Sequence, residues 1–179
     1  IIYFTEAKYE KGLDYFIRAK NLSVEDQALL ALINLNIAST LYKQNKLEMS
    51  WPYLQDVVPE GLSDTERRKY FQLKYLVAKH KNDSKEMIYS LISIMSEYKS
   101  FEEIEHSSYK EALIDAYSEL SATERTYILQ KYEGNDYLVV GFLAKQEVLK
   151  RFYSGDKAGG KDVLNWIESH QRNSKELMA

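Results

Sequence analysis

The sequence predicts an all-α chain of antiparallel helix pairs, and three observations carry that reading. Two prolines and seven glycines in 179 residues are few, while Leu, Ala, Lys, Glu and Gln are plentiful, so long helices with short turns are favoured over many short strands. Apolar residues recur at three-four spacing along successive stretches. A triplet spaced four then three also returns at a near-constant interval. Gly12, Phe16 and Ala19 are followed 38 residues on by Ser50, Leu54 and Val57, and 37 further on by Met87, Leu91 and Ile94. Gly160, Leu164 and Ile167 come 73 residues after Met87, two intervals later. A helix pair cannot bury its own faces, so a repeat of this length implies stacked units.

Taken in order, helices are expected near 9–21, 26–44, 50–58, 64–81, 84–98, 107–120, 122–132, 136–153 and 157–171. The first rests on the Gly12 triplet. The second rests on the longest periodic run, Leu29, Leu32, Ile33, Asn36, Ile37, Thr40 and Leu41. Pro52 would remove a bond inside a helix, so the third is placed with its start near Ser50 and Pro52 in its first turn. Ser63-Asp64-Thr65-Glu66 reads as a capping box for the fourth, and Asn82-Asp83-Ser84 as the turn before the fifth. Phe101–His106 is read either as loop or as an acidic first turn. Ser121-Ala122-Thr123-Glu124 is a second capping box, Glu133-Gly134-Asn135-Asp136 the clearest break, and Ser154-Gly155-Asp156 the last turn. The chain opens Ile1-Ile2-Tyr3-Phe4, apolar and uncapped, which reads as the end of a helix continuing from a longer protein.

Composition excludes several function classes. A net charge of −3 and pI near 5.7 give no broad positive field, so nucleic acid and anionic lipid are not the expected partners. Zero cysteines exclude disulfides, thiolate metal sites and cysteine catalysis, and leave the compartment open. No apolar run approaches the roughly 20 residues of a membrane span. Fifteen tyrosines read as amphipathic packing residues, ring buried and hydroxyl wet.

No constellation carries chemistry. Gly155, Gly160 and Lys161 stand at P-loop spacing, but that motif needs a preceding strand and a hydroxyl after the lysine, and here a helix precedes and Asp162 follows. His80, His106 and His170 lie far apart, and the cluster Glu102, Glu103, Glu105, His106 lacks ligand spacing on one helix face. No glycine-rich dinucleotide signature, nucleophile elbow or paired-carboxylate signature is present. The chain is therefore read as non-enzymatic, with no cofactor and no metal. Trp51 and Trp166, beside the small second-helix positions, read as packing between units, and Gly12, Ala19, Ala38 and Gly160 as close helix contacts.

The small, large, small spacing of each second helix, with Tyr3 nine residues before Gly12, resembles the tetratricopeptide (TPR) repeat. The match covers about residues 1–98 and 136–170. It departs at Pro52, at Met87, larger than the family's alanine and implying looser packing, and in an interval longer than the usual 34 or so. The resemblance implies a TPR-like α-solenoid, with 1–132 as helix pairs, 133–172 as a terminal pair on the same solenoid and 173–179 as a polar tail or linker. The order of units also resembles the N-terminal helical domain of bacterial penicillin-binding-protein activator lipoproteins: degenerate TPR-like helices, a short Leu120–Glu124 cap into a brief helix, then a pair ending at Ser169–Asn173. That narrower resemblance implies a periplasmic, outer-membrane-associated protein contacting peptidoglycan synthases, with a periplasmic-binding-protein-like domain following. Two other classes suit the same helices: a cytoplasmic TPR regulator holding a peptide in its concave groove, and a purely structural appendage to an enzyme.

In TPR-like stacks the first helix of each pair lines the concave surface. Aligning Asn45, Asn82 and Gly155 as equivalent turns then directs Tyr42, Lys43, Gln72, Lys79, His80, Lys145 and Tyr153 to the groove. Tyrosines supply contact area and lysines orientation, which suits an extended peptide or an acidic protein surface; an ordinary solvated helix face has the same composition.

Overall fold

The computed structural model describes residues 9–22, 25–135 and 137–170, and every regular element among them is helical. The order is α1 (Tyr9–Leu22), α2 (Gln27–Lys43), α3 (Leu47–Gln55), a 3₁₀ turn (Pro59–Gly61), α4 (Asp64–His80), α5 (Ser84–Met95), α6 (Phe101–Glu105), α7 (Lys110–Glu119), α8 (Ala122–Lys131), α9 (Leu138–Tyr153) and α10 (Lys157–His170). About ten helices are thus packed in sequential pairs. Tyr3, Asp136 and the tail from Gln171, all of which entered the sequence argument, lie outside the described residues.

The start and stop signals work as their chemistry requires. At both capping boxes the serine hydroxyl accepts from the backbone N–H three residues on, Glu66 at 3.4 Å and Glu124 at 3.3 Å. The serine N–H in turn donates to that glutamate's carboxylate, at 3.0 and 2.9 Å. These hydrogen bonds from the Ser63 side chain and backbone hold the Glu66 carboxyl below the ordinary glutamate range. Ser100 caps α6, accepting from Glu103 N–H at 3.2 Å, so Phe101–Glu105 is a short capped helix and not loop.

Three turns are built alike. Asn45 (φ 58°), Asn82 (φ 54°) and Gly155 (φ 85°) all occupy the left-handed region that glycine and asparagine tolerate. Each donates its N–H to the carbonyl three residues back, and the next residue donates five back: Lys46 to Leu41, Asp83 to Ala78, Asp156 to Arg151. This double-bonded helix ending satisfies carbonyls that would otherwise be orphaned and reverses the chain within three residues. The equivalence of the three turns is therefore physical as well as positional.

Two expectations need correction. α3 starts at Leu47, immediately after the Asn45 turn, so Pro52 sits inside the helix and not in its first turn. Only the first turn lacks intrahelical N–H partners, and Ser50 N–H already bonds Lys46 O at 3.2 Å, so Pro52 costs the Glu48 carbonyl its helical donor. α3 is correspondingly short. α5 stops at Met95 instead of Tyr98, because the Ser96 hydroxyl turns back to the Ser93 carbonyl at 2.9 Å and Tyr98 donates to Met95 O in a turn.

The chain divides into two compact units, residues 1–86 and 87–179. In the first, α2 is the central element. It packs on α1, α3, the 3₁₀ turn and α4 and buries Ala31, Ile33, Leu35, Ile37, Ala38 and Leu41 around its circumference. One side joins Leu54, Val57, Leu62, Tyr70, Leu73 and Val77; the other meets Leu13, Phe16 and Ala19 of α1. Trp51 packs on the first of these clusters, with the Lys81 ammonium 5.5 Å from its ring centre. Lys74 and Glu86 pair at 2.9 Å; burial works against the Lys74 charge, but Glu86 and Tyr70 together outweigh it and raise the pKa.

In the second unit α9 plays the same part, packed on α6, α8 and α10, with Val139, Val140, Leu143 and Ala144 among its buried residues. Gly12, Ala38 and Gly160 are buried, and a Cβ on Gly160 would stand 3.0 Å from the Phe152 ring, so the close contact expected there is real. Met87 is only half-buried at the position equivalent to buried Ser50 and Gly160.

Candidate interaction surface

The shared turn fixes what stands near the end of the helix before it. Its geometry puts the residues three and two before the left-handed position in the last helical turn, and these are Tyr42 and Lys43 on α2 and Lys79 and His80 on α4. A positive charge there is favoured by the helix dipole. The structure brings all four together. They line a shallow groove of about 490 Å³ in the first unit, completed by Asn45, Leu47 and Leu76. Leu76 is 40% exposed and forms an apolar element among the cations.

Gln72, one turn before Leu76 on the same face of α4, is half-buried and outside the lining. Lys145 and Tyr153 are exposed on α9 in the second unit. Tyr153 lines a separate cavity of about 250 Å³ with Ile114, Tyr117, Ser118, Leu143, Gln146, Leu149 and Lys150; Lys145 is not part of it.

The two depressions each lie between alternate helices. Tyr42 and Lys43 have counterparts in Tyr117 and Ser118, 75 residues on, although Leu120 is extended (φ −74°, ψ 151°) where Asn45 is left-handed, so the turn itself is not repeated there. Leu76 and His80 correspond to Leu149 and Tyr153, 73 residues on, which precede Gly155 as the first pair precedes Asn82. The first depression lies between α2 and α4, the second between α7 and α9. Their chemistry differs: the first groove is cationic, the second largely apolar with Lys150, Gln146 and Ser118 as its polar residues.

Sequence reasoning missed a buried ionic network beside the second cavity. Glu147 of α9 is fully buried, one carboxylate oxygen accepting from Arg125 Nε at 2.6 Å and the other from Arg151 Nε at 2.7 Å. Arg125 Nη1 donates to the Leu120 carbonyl, and Arg151 Nη2 donates to Thr126 Oγ1 at 3.0 Å. α7, α8 and α9 are thereby tied through one carboxylate. Tyr117 lies with the Arg125 guanidinium 6.0 Å from its ring centre, and its buried hydroxyl finds no hydrogen-bond partner among the described residues. Burial first, and the Glu147 charge second, push that hydroxyl far above the ordinary phenol range, so it stays protonated. The readable signal was a glutamate in the apolar phase of α9, between Leu143, Ala144 and Val148.

The other candidate motifs are absorbed by local structure. The Gly155–Lys161 stretch follows α9 rather than a strand, and Asp156 Oδ1 accepts from Gly159 N–H at 2.9 Å, so a carboxylate already occupies the position a phosphate would need. In the acidic cluster, Glu103 accepts from Lys99 N–H at 2.7 Å, Glu105 from Lys110 Nζ at 3.1 Å, and the exposed His106 ring bonds the Glu102 carbonyl at 2.9 Å. His80 ends α4 as expected.

Fold and surface define an all-helical domain of sequentially paired helices, with depressions between α2 and α4 and between α7 and α9. No family model matches the chain, and neither a curated protein nor a solved structure matches it.

Proposed function

We propose that the chain is a TPR-like α-solenoid acting as a non-catalytic scaffold, and that it holds a protein or peptide partner on its first-helix faces. The observation that carries this reading is the recurrence of a depression between alternate helices in both units, the first with Tyr42, Lys43, Lys79 and His80 at its lining. A groove with clustered cations, a tyrosine and an exposed leucine suits an acidic, extended segment: apolar contact gives affinity and charge gives on-rate and register. The order of helices from α6 to α10 supports the finer proposal, an N-terminal domain of a bacterial envelope protein that regulates peptidoglycan synthesis. The cationic groove supports the alternative, a cytoplasmic TPR regulator or adaptor that binds a peptide.

The test is Lys43→Glu with Lys79→Glu. Both side chains are exposed, so the chain should still fold, with only the small loss of about 1 kcal/mol per site that a negative charge at a helix C-terminus brings. Affinity purification with both proteins should lose specific partners in the double variant, and the remaining binding should depend less on salt. A peptidoglycan synthase among the lost partners supports the envelope proposal, and a cytoplasmic peptide or regulator supports the alternative. Identical recovery by both proteins removes the groove from the account.

A further inference from the structure

We propose that the face around the α7–α9 cavity is a two-fold contact with a second copy of this chain, in which α7 of each copy lies over α9 of the other. The contact is additional to the partner groove of the scaffold reading and shares no residue with it. Its two sides carry opposite charge. On α7, Glu111 and Ser118 are seven residues apart and share one helix face, and Asp115 stands beside them, four from Glu111 and three from Ser118. Ser118 lines the cavity, so these exposed carboxylates stand on its α7 side. On α9, Lys145, Leu149 and Tyr153 follow at four-residue spacing along one exposed face; Leu149 and Tyr153 line the cavity, and Lys150 adds a second cation there. Lys110 pairs with Glu111 at 3.4 Å and with Glu105 at 3.1 Å, but Asp115 and Lys145 make no ion pair among the described residues.

Charge complementarity selects the occupant. Between the two rows lie apolar side chains, with Ile114 half-buried, Leu149 41% exposed and Tyr153 89% exposed, so covering the face removes apolar surface from water. The cover must set cations opposite α7, anions opposite α9 and apolar groups between them. A uniformly acidic or basic segment would match one row and be repelled by the other. A face with an acidic row and a basic row on either side of an apolar centre is complementary to itself: a two-fold axis running between α7 and α9 at the cavity mouth exchanges the rows. Each Asp115 then meets the other copy's Lys145, twice per dimer, and Leu149 and Tyr153 of both copies enclose the apolar centre.

The experiment is sedimentation velocity on the whole chain over a concentration series, at low and at high salt. The expected result is a 20.9 kDa monomer passing to a species of twice that mass as concentration rises, with salt weakening the association. Asp115→Lys and Lys145→Glu should each weaken dimerisation about tenfold or more, because either one sets like charges opposite each other at both symmetry-related contacts. An equimolar mixture of the two variants should dimerise again, since every contact then pairs a cation with an anion, and so should the chain carrying both substitutions. Tyr153→Ser should weaken the dimer about tenfold through lost apolar contact. All three sites are exposed, and circular dichroism checks that each variant keeps its helices. A chain that stays monomeric at every concentration, an assembly that grows past the dimer, or a dimer indifferent to these substitutions or not restored by mixing overturns the proposal. Lys43 and Lys79 are untouched throughout, so this contact can fail while the scaffold reading stands, and the reverse.

Discussion

Replacing Glu147 with glutamine should destabilise the second unit by about 3–5 kcal/mol, the usual consequence of leaving buried charge uncompensated. The variant keeps the side-chain volume, so no cavity is made. It removes the negative charge between Arg125 and Arg151, at 2.6 and 2.7 Å, and it turns one acceptor into an amide that presents N–H groups to a guanidinium's N–H groups. The side chain of Arg125 is only 9% exposed and cannot recover its hydration without moving α8. For a chain of this length each kcal/mol shifts the melting midpoint by about 2–4 °C, so the expected fall is about 6–20 °C. Trp166 lies in the second unit and Trp51 in the first, so urea unfolding followed by fluorescence in a Trp51→Phe background reports on the correct unit. Arg125→Met combined with Glu147→Leu removes both charges and should recover part of the loss, less the Leu120 carbonyl's hydrogen bond. A Glu147→Gln protein within about 1 kcal/mol of the parent refutes the claim that this carboxylate ties α7, α8 and α9 together.

Two further outcomes follow from local geometry. Gly160→Leu should overpack the α9–α10 contact by about 1–3 kcal/mol, towards the lower end because Phe152 is itself 37% exposed and can turn; thermal melting checks it. Glu66 has a lowered folded-state pKa, so its contribution is present above the ordinary glutamate value and is lost as pH falls through the folded value; Ser63→Ala should shrink this acid-dependent part, read as a flatter stability–pH curve on the acid side.

The fold was legible wherever a local rule had one outcome. Both capping boxes, the left-handed turns at Asn45, Asn82 and Gly155, and the spacing of apolar residues each dictate backbone geometry within a few residues, and helices followed. Pro52 was misplaced because its cost depends on where α3 begins, and that is set by the Asn45 turn, not by Pro52. The 3₁₀ turn at Pro59–Gly61 was missed because it rests on contact with α2, where a Cβ on Gly61 would stand 3.0 Å from the Ala28 Cα.

The candidate surface was partly legible. Tyr42, Lys43, Lys79 and His80 converge because turn phase alone fixes their positions, whereas Gln72 and Lys145 share the helix faces but not the depressions. The partnership of Arg125 with Glu147, 22 residues apart and on different helices, has no local rule to announce it.

The claim that the α2–α4 groove is a partner-binding face is tested most directly by placing a photo-crosslinking phenylalanine at Leu76, inside the groove, and at Gln55, exposed on α3 and outside it. Irradiation in cells should give a discrete adduct from position 76, absent at position 55 and lost when Lys43→Glu and Lys79→Glu are added. Adducts of equal yield at both positions, or an adduct at 76 indifferent to the charge reversal, would contradict it.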